Sequence, residues 1–235
     1  MKEKLKKALR PIYQRMLDNT EINQWSEIKD GETQEYACMA ALVGDMFPKN
    51  ENEGIIYYGR ANNGWNSGVK NDFDYIFDKG FLNEEGENGY FKYITDNRSQ
   101  FCRVAGKSFS QYYGDEWYNH VAYSNLYKVS RCNSNPSDWE CGIQEEYVTE
   151  IFKTEIDTLS PKFVVMFTGK CWADCFLYYA NGNNMPLLLE SREWGKYKID
   201  VYKIGEVYYL VSEHPQGKKE SLHVEAVLSI LEKYK

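Results

Sequence analysis

Four short apolar runs each break into a polar, Gly/Asn/Pro-rich segment on their C-terminal side. They are Gly54-Ile55-Ile56-Tyr57-Tyr58, Ala122-Tyr123-Ser124-Asn125-Leu126, Phe163-Val164-Val165-Met166-Phe167 and Val207-Tyr208-Tyr209-Leu210-Val211. Helix-like stretches separate them. Runs of this length, bounded by turn residues and alternating with helical patterns, predict parallel strands joined by crossovers. The fold class is therefore α/β: a three-layer α/β/α sandwich around a mainly parallel four-stranded sheet. The 235 residues read as one domain, with a helical extension over 1–50 and the core over 51–235.

The helices follow from apolar spacing. Leu5, Leu9, Ile12, Tyr13 and Met16 recur at threes and fours within 2–19, with Pro11 as an interruption. Asp30-Gly31-Glu32 signals a turn, and Thr33 to Met46 reads as a second helix. Further helices are expected at 73–77, 99–113, 143–159, 170–179 and 222–234, with 80–97 as an irregular excursion. Tyr197 to Ile204, Gly205-Glu206 and Val207 to Ser212 read as a hairpin, which adds one antiparallel strand.

In such a sheet the ligand sits in the crevice beyond the carboxyl ends of the strands. The chain's least ordinary residues fall there: Gly59-Arg60-Ala61-Asn62-Asn63-Gly64-Trp65, Asn125 with Arg131 to Pro136, Thr168-Gly169-Lys170, and Glu213-His214-Pro215-Gln216-Gly217. Asn125 inside an apolar strand carries a desolvation cost that demands a partner. The net charge is −7, yet the four rim segments gather Arg60, Lys128, Arg131, Lys170, Lys218 and Lys219 against only Glu213 and Glu220. An acidic body with a basic rim would draw an anion such as phosphate to that rim. The 20 Tyr, 11 Phe and 6 Trp provide planar surfaces for stacking as well as for core packing.

A strand ending in a Gly-led loop, an Asn closing a central strand, and a late strand ending in His-Pro together resemble the uracil-DNA glycosylase superfamily. Its first motif has the form Gly-x-(Asp/Asn/Ala)-Pro-x, and Tyr58-Gly59-Arg60-Ala61-Asn62-Asn63-Gly64-Trp65 stands in that place. Its last has the form His-Pro-Ser-x, and Ser212-Glu213-His214-Pro215-Gln216-Gly217 stands there. Tyr123-Ser124-Asn125 is similar to the strand whose Asn reads an extruded base. Phe163 to Gly169 is similar to the superfamily's strand before a helix. The resemblance spans about 50–235 and implies binding of a nucleobase, or of a base-containing nucleic acid, DNA rather than RNA.

For hydrolysis of an N-glycosidic bond, the resemblance implies that His214 stabilises the departing base and Asn125 reads it. The position of the catalytic carboxylate or amide falls on Ala61, which leaves Asn62 or Asn63 to position water. An amide cannot serve as a general base. Gly59, Arg60, Ala61, Trp65, Tyr58 and Gln216 complete the expected base site, with Tyr127 a further stacking candidate. Lys218, Lys219, Arg131 and Arg60 are the expected phosphate contacts. No cofactor and no metal are expected: Cys132, Cys141, Cys171 and Cys175 lack the spacing of a structural zinc site, and no Cys-x-x-Cys near the N-terminus points to a cluster. His223, at a helix start, reads as structural or as a peripheral phosphate contact.

Phosphate-loop, dinucleotide-binding and nucleophile-elbow motifs are missing from the sequence, which sets aside three common α/β enzyme classes. Two other readings stay open: a catalytically inactive relative that binds a nucleotide or modified base, and an unrelated α/β enzyme acting on a small phosphorylated metabolite. No apolar run approaches the roughly 18 residues of a membrane span. A cytoplasmic protein with reduced thiols is the expectation.

Overall fold

The computed structural model describes residues 1–26, 36–62, 72–79, 99–132 and 134–235. Asn63 and Trp65, the Asp30-Gly31-Glu32 turn and the expected excursion at 80–97 lie outside these residues.

The protein is mixed α/β, built on a seven-stranded mixed sheet. Its centre is parallel: β4 (Val121–Asn125) pairs with β3 (Ile55–Gly59), β3 with β6 (Phe163–Phe167), and β6 with β9 (Val207–Ser212). Antiparallel strands extend both sides. β2 (Leu42–Val43) lies beyond β4, while β8 (Tyr197–Ile204) and then β7 (Leu187–Trp194) lie beyond β9. The four strands expected from sequence are thus the middle of a wider sheet, with three antiparallel strands rather than one. A separate ribbon pairs β1 (Tyr36–Cys38) with β5 (Val129–Arg131).

The parallel strands are buried on both faces, and their residues alternate between two cores. Ile56, Tyr58, Val164, Met166, Tyr209 and Val211 face one core, shared with α1 (Lys2–Asp18), α5 (Asp138–Leu159) and α6 (Lys170–Ala180). Ile55, Tyr57, Phe163, Val165, Phe167 and Leu210 face the other, shared with α4 (Gln100–Tyr113) and α7 (Glu220–Lys233). Helices therefore cover both sides of the sheet, as continuous Val/Ile/Phe runs require. Short helices α2 (Thr20–Ser26) and α3 (Phe73–Lys79) complete the described set.

Local chemistry fixes the helix starts. Ser99 accepts from the Cys102 amide to cap α4. Ser137 and Glu140 form a reciprocal capping box at α5. The β8–β9 hairpin turns on Gly205, whose φ of +57° suits glycine in a two-residue loop.

Two helical expectations need correction. α1 runs through Pro11, which sits on the exposed side, while Leu5, Leu9 and Tyr13 are fully buried. Of the expected helix over 33–46, residues 33–35 lie outside the described residues, and β1 and β2 stand in place of a helix over the rest. Every residue from Tyr36 to Ala41 is buried, so no polar face exists for a helix to present. The Tyr13 hydroxyl donates to the Met39 carbonyl at 2.7 Å and ties α1 to this extended segment. Residues 36–38 therefore belong to the ribbon and 42–43 to the sheet, joined by extended chain, and not to a helical extension.

Candidate functional site

β3 and β4 end side by side, with Gly59 opposite Asn125. A Cβ at position 59 would collide with Asn125 Oδ1 and would lie 3.4 Å from the Phe101 ring. Glycine is needed here for close approach, not for a left-handed backbone. It leaves room for the Asn125 carboxamide and the Phe101 ring, which projects from the first turn of α4.

Asn125 is 1% exposed. Its amide nitrogen donates to Asn62 Oδ1 at 2.9 Å and meets Met39 Sδ, while its oxygen accepts from the Tyr123 hydroxyl at 3.0 Å. Asn62 is also buried, and its amide donates to the carbonyls of Ala37 (3.1 Å) and Lys128 (3.3 Å). Its backbone exchanges two hydrogen bonds with Ser130 Oγ. Both amide hydrogens of Asn62 are committed to carbonyls. In this arrangement Asn62 joins the β3 loop to the β1–β5 ribbon and has no N–H to offer a water. Ala61 is half-buried beside it.

His214 follows β9 and stacks on Phe101, with ring centroids 5.9 Å apart and planes 18° from parallel. Its Nδ1 accepts from the Gln216 amide at 3.3 Å, which assigns the proton of the neutral ring to Nε2. Burial, with Arg60 and Lys218 nearby, pushes the imidazole pKa down to about 4. At neutral pH His214 is thus an uncharged donor through Nε2–H. Gln100, next to Phe101, clasps the same loop: its Oε1 accepts from the Gly217 amide at 2.6 Å and its Nε2 donates to the Lys218 carbonyl. Phe101 therefore bridges the two halves of the site, touching His214 on one side and approaching Gly59 and Asn125 on the other. Phe101 lies on the helix expected over 99–113, and sequence reading did not mark it as part of the site.

The basic rim needs the larger correction. Lys128 is wholly buried, pointing inward to Ser124 Oγ (2.6 Å), the Asn125 carbonyl (2.6 Å) and Glu155 (3.0 and 3.2 Å). Arg131 pairs with Glu140 at 3.4 Å and lies over Tyr36. Lys170 pairs with Asp174 at 3.0 Å. Lys218 donates to the His214 carbonyl at 2.8 Å. Arg60 donates Nε to the Thr168 carbonyl at 2.6 Å and lies over the Trp172 ring. Lys219 is exposed at the start of α7, and Glu220 beside it bonds Arg103 and Lys107. The field at the rim is weaker than a count of cations suggests, because Lys128, Arg131 and Lys170 have carboxylate partners.

Two expected stacking residues are also core residues. Tyr58 is fully buried, packed 4.8 Å from the Phe152 ring, with its hydroxyl donating to Glu155 at 2.9 Å. Tyr127 is 7% exposed and edge-on to Trp172 and Phe176. Alternation explains Tyr58: position 57 faces α4, so position 58 faces α5. Gln216 is exposed at the loop tip. His223 is fully buried, bonded to Ser212 Oγ at 2.6 Å and stacked on Trp194 at 4.2 Å, so it makes no phosphate contact.

Sequence reasoning missed the Lys128–Glu155 pair beneath the strand ends. The available signal was Glu155 itself, set among Ile151, Phe152, Ile156 and Leu159 on the apolar stripe of α5. A carboxylate there needs a buried partner. Among the described residues, no cluster of three or more His, Cys, Asp or Glu could hold a metal, and no helix is long and apolar enough to cross a membrane. No protein-family model matches the chain, and no curated protein does either.

Proposed function

We propose that this protein is a uracil-DNA-glycosylase-like module that binds a nucleobase, or a base within DNA, at the carboxyl end of its parallel strands. The observation that carries the reading is His214 stacked on Phe101 beside Gly59 and Asn125. A neutral imidazole offering Nε2–H suits a base carbonyl, and a neighbouring aromatic ring suits a planar heterocycle. Hydrolysis of an N-glycosidic bond would use the same His214 contact to stabilise the departing base. Ala61 carries no functional group, and the amide hydrogens of Asn62 are already committed. These two facts favour binding without efficient turnover. The proposal assumes a reducing cytoplasm for the six cysteines.

Fluorescent oligonucleotides carrying uracil, hypoxanthine or xanthine test the reading, alongside unmodified strands and sugar phosphates. The expected result is binding of the base-containing ligands, with little strand cleavage after alkali. His214→Ala should weaken that binding about tenfold, the effect of losing one hydrogen bond at a half-buried site. Because, among the described residues, only Arg60, Lys218 and Lys219 of the six rim cations lack a carboxylate pair, log affinity should fall with log salt at a slope no steeper than about −3. Binding of sugar phosphates in preference to every base-containing ligand would defeat the proposal and favour the metabolite reading. Efficient release of a base would restore hydrolysis as the main activity.

A further inference from the structure

β7 is the outermost strand on its side of the seven-stranded sheet, hydrogen-bonded to β8 alone among the described residues. It is eight residues long, and only Trp194 at its end is buried. Its first half is apolar and open to solvent: Leu187 is 72% exposed, Leu188 47% and Leu189 38%, with Met185 just before them at 49%. A long apolar edge strand templates pairing with another chain, and proteins normally cover, charge or interrupt such an edge. These four side chains expose roughly 400 Å² per chain, about half of the ~800 Å² that each partner gives to a stable interface.

The second half of the strand says which partner fits. Glu190, Ser191, Arg192 and Glu193 follow the register irregularity between Leu188 and Glu190, and from there pairing with β8 is regular. Two copies of β7 placed antiparallel about a two-fold axis through Ser191 bring Glu190 of each copy opposite Arg192 of the other. That forms two opposite-charge pairs on one face of the joined sheet. Shifting the axis by one residue either way sets Glu190 against itself or Arg192 against itself, which is repulsive. An axis among the leucines would centre the pairing on the irregular step and carry it through Pro186, which has no N–H to give. Glu190 already meets Lys233 of α7, so the partner's Arg192 would complete a three-charge network on that face. The leucines would then lie against the partner's hairpin end, near Gly195.

We propose that the outer edge of β7 is a self-association surface, on which a second copy of this chain adds its own β7 antiparallel about Ser191. The two sheets become one, in an isologous pairing that closes after two chains. None of the residues assigned to the strand-end site belongs to β7, so the inference does not rest on the base-binding reading.

Sedimentation equilibrium of the full chain across the micromolar range tests it. The wild-type protein should approach twice the single-chain mass of 27.6 kDa. Arg192→Glu alone and Glu190→Arg alone should each sediment as single chains, because each places like charges opposite one another. Mixed in equal amounts, the two variants should regain the two-chain mass, since each then supplies the charge the other lacks. Leu187→Lys with Leu188→Lys should also give single chains. Circular dichroism and thermal melts establish that every variant is folded. A single-chain mass for folded wild type throughout this range overturns the proposal. So does a pair whose mass is unchanged in both charge variants, or two variants that fail to associate when mixed.

Discussion

Replacing Glu155 by Gln isolates the strongest electrostatic element in the molecule. Lys128 and Glu155 are both wholly buried, and the ammonium has four oxygen contacts between 2.6 and 3.2 Å. Two of the four come from Glu155. The carboxylate also holds the Tyr58 and Ser124 hydroxyls at 2.9 and 3.0 Å. Neutralising it leaves a buried ammonium facing only neutral acceptors. Breaking a buried pair from one side costs about 3–5 kcal/mol. At roughly 2–4 °C per kcal/mol for a chain of this size, the melting temperature should fall by about 6–20 °C. Lys128→Met should cost about as much, because it strands the carboxylate instead. The double variant Lys128→Met/Glu155→Leu leaves no unpaired charge, only the Tyr58 and Ser124 hydroxyls and the Asn125 carbonyl without the partners they had, at about 1 kcal/mol each. It should therefore be more stable than either single variant.

The pH dependence adds a second readout. Burial lowers the Lys128 pKa, and Glu155 opposes that shift. Without Glu155 the folded value drops further below the unfolded value of about 10.4. Between the two values the unfolded chain holds a proton that the folded chain has shed, so stability rises with pH in that window. The deficit of Glu155→Gln should shrink as pH is raised from 7 towards 10. Urea unfolding followed by circular dichroism, in a double-mutant cycle, measures all of this. Single substitutions costing under about 1 kcal/mol, or a double variant whose cost is the sum of the two, would refute the reasoning.

Two further outcomes follow from groups near the site. His223 has its pKa pushed down to about 3 by burial, with Lys218 and His214 adding to the shift, so it folds neutral and is protonated on unfolding in mild acid. Stability should be lost as pH falls from about 6.5 towards 3, at up to about 1.4 kcal/mol per pH unit for this one group. His223→Phe should show a shallower slope than wild type in urea titrations over pH 4–7, and an unchanged slope would count against the assignment. Gly59→Ala puts a methyl into the space of Asn125 Oδ1. It should cost about 1–3 kcal/mol in stability and weaken base binding measured by fluorescence; a neutral effect on both would mean the strand end is looser than drawn.

The parallel strands were legible because each is a short run of branched and aromatic residues buried on both faces, bounded by residues that cannot continue it. α5 was legible from its stripe over 143–159, but its first turn from Asp138 and the Ser137 cap were not read. The segment over 36–43 was not, because Ala, Met, Leu and Val at almost every position satisfy the helix period and the strand period equally. Burial of every residue from Tyr36 to Ala41 decides for extended chain, and burial depends on what packs above. β7 was missed for a related reason: three exposed leucines followed by Glu-Ser-Arg-Glu show neither period clearly. At the site, sequence marked Gly59, Asn125 and His214; Phe101 stands between them, with His214 stacked on its ring and Gly59 and Asn125 towards its other side. It misjudged where charge points. A lysine beside a strand end reads as a surface cation, and nothing local distinguishes Lys128, whose partner is 27 residues away on α5.

That hidden lysine accounts for how the site is held. The Lys128 carbonyl accepts from Asn62, and its ammonium donates to the Asn125 carbonyl. One residue therefore anchors both asparagines, which also bond each other at 2.9 Å. The ion pair with Glu155 fixes that residue against α5, on the face of the sheet opposite Phe101. The amide half of the strand end is consequently rigid, supported from below by a charge pair that cannot move without exposing an unpaired ion. The aromatic half is held differently. His214 rests on Phe101 and on a loop clasped by Gln100, with hydrogen bonds to backbone only. If the strand end binds a base as proposed, adjustment to it would fall to the 213–218 loop rather than to the asparagines, whose positions the fold fixes before a ligand arrives.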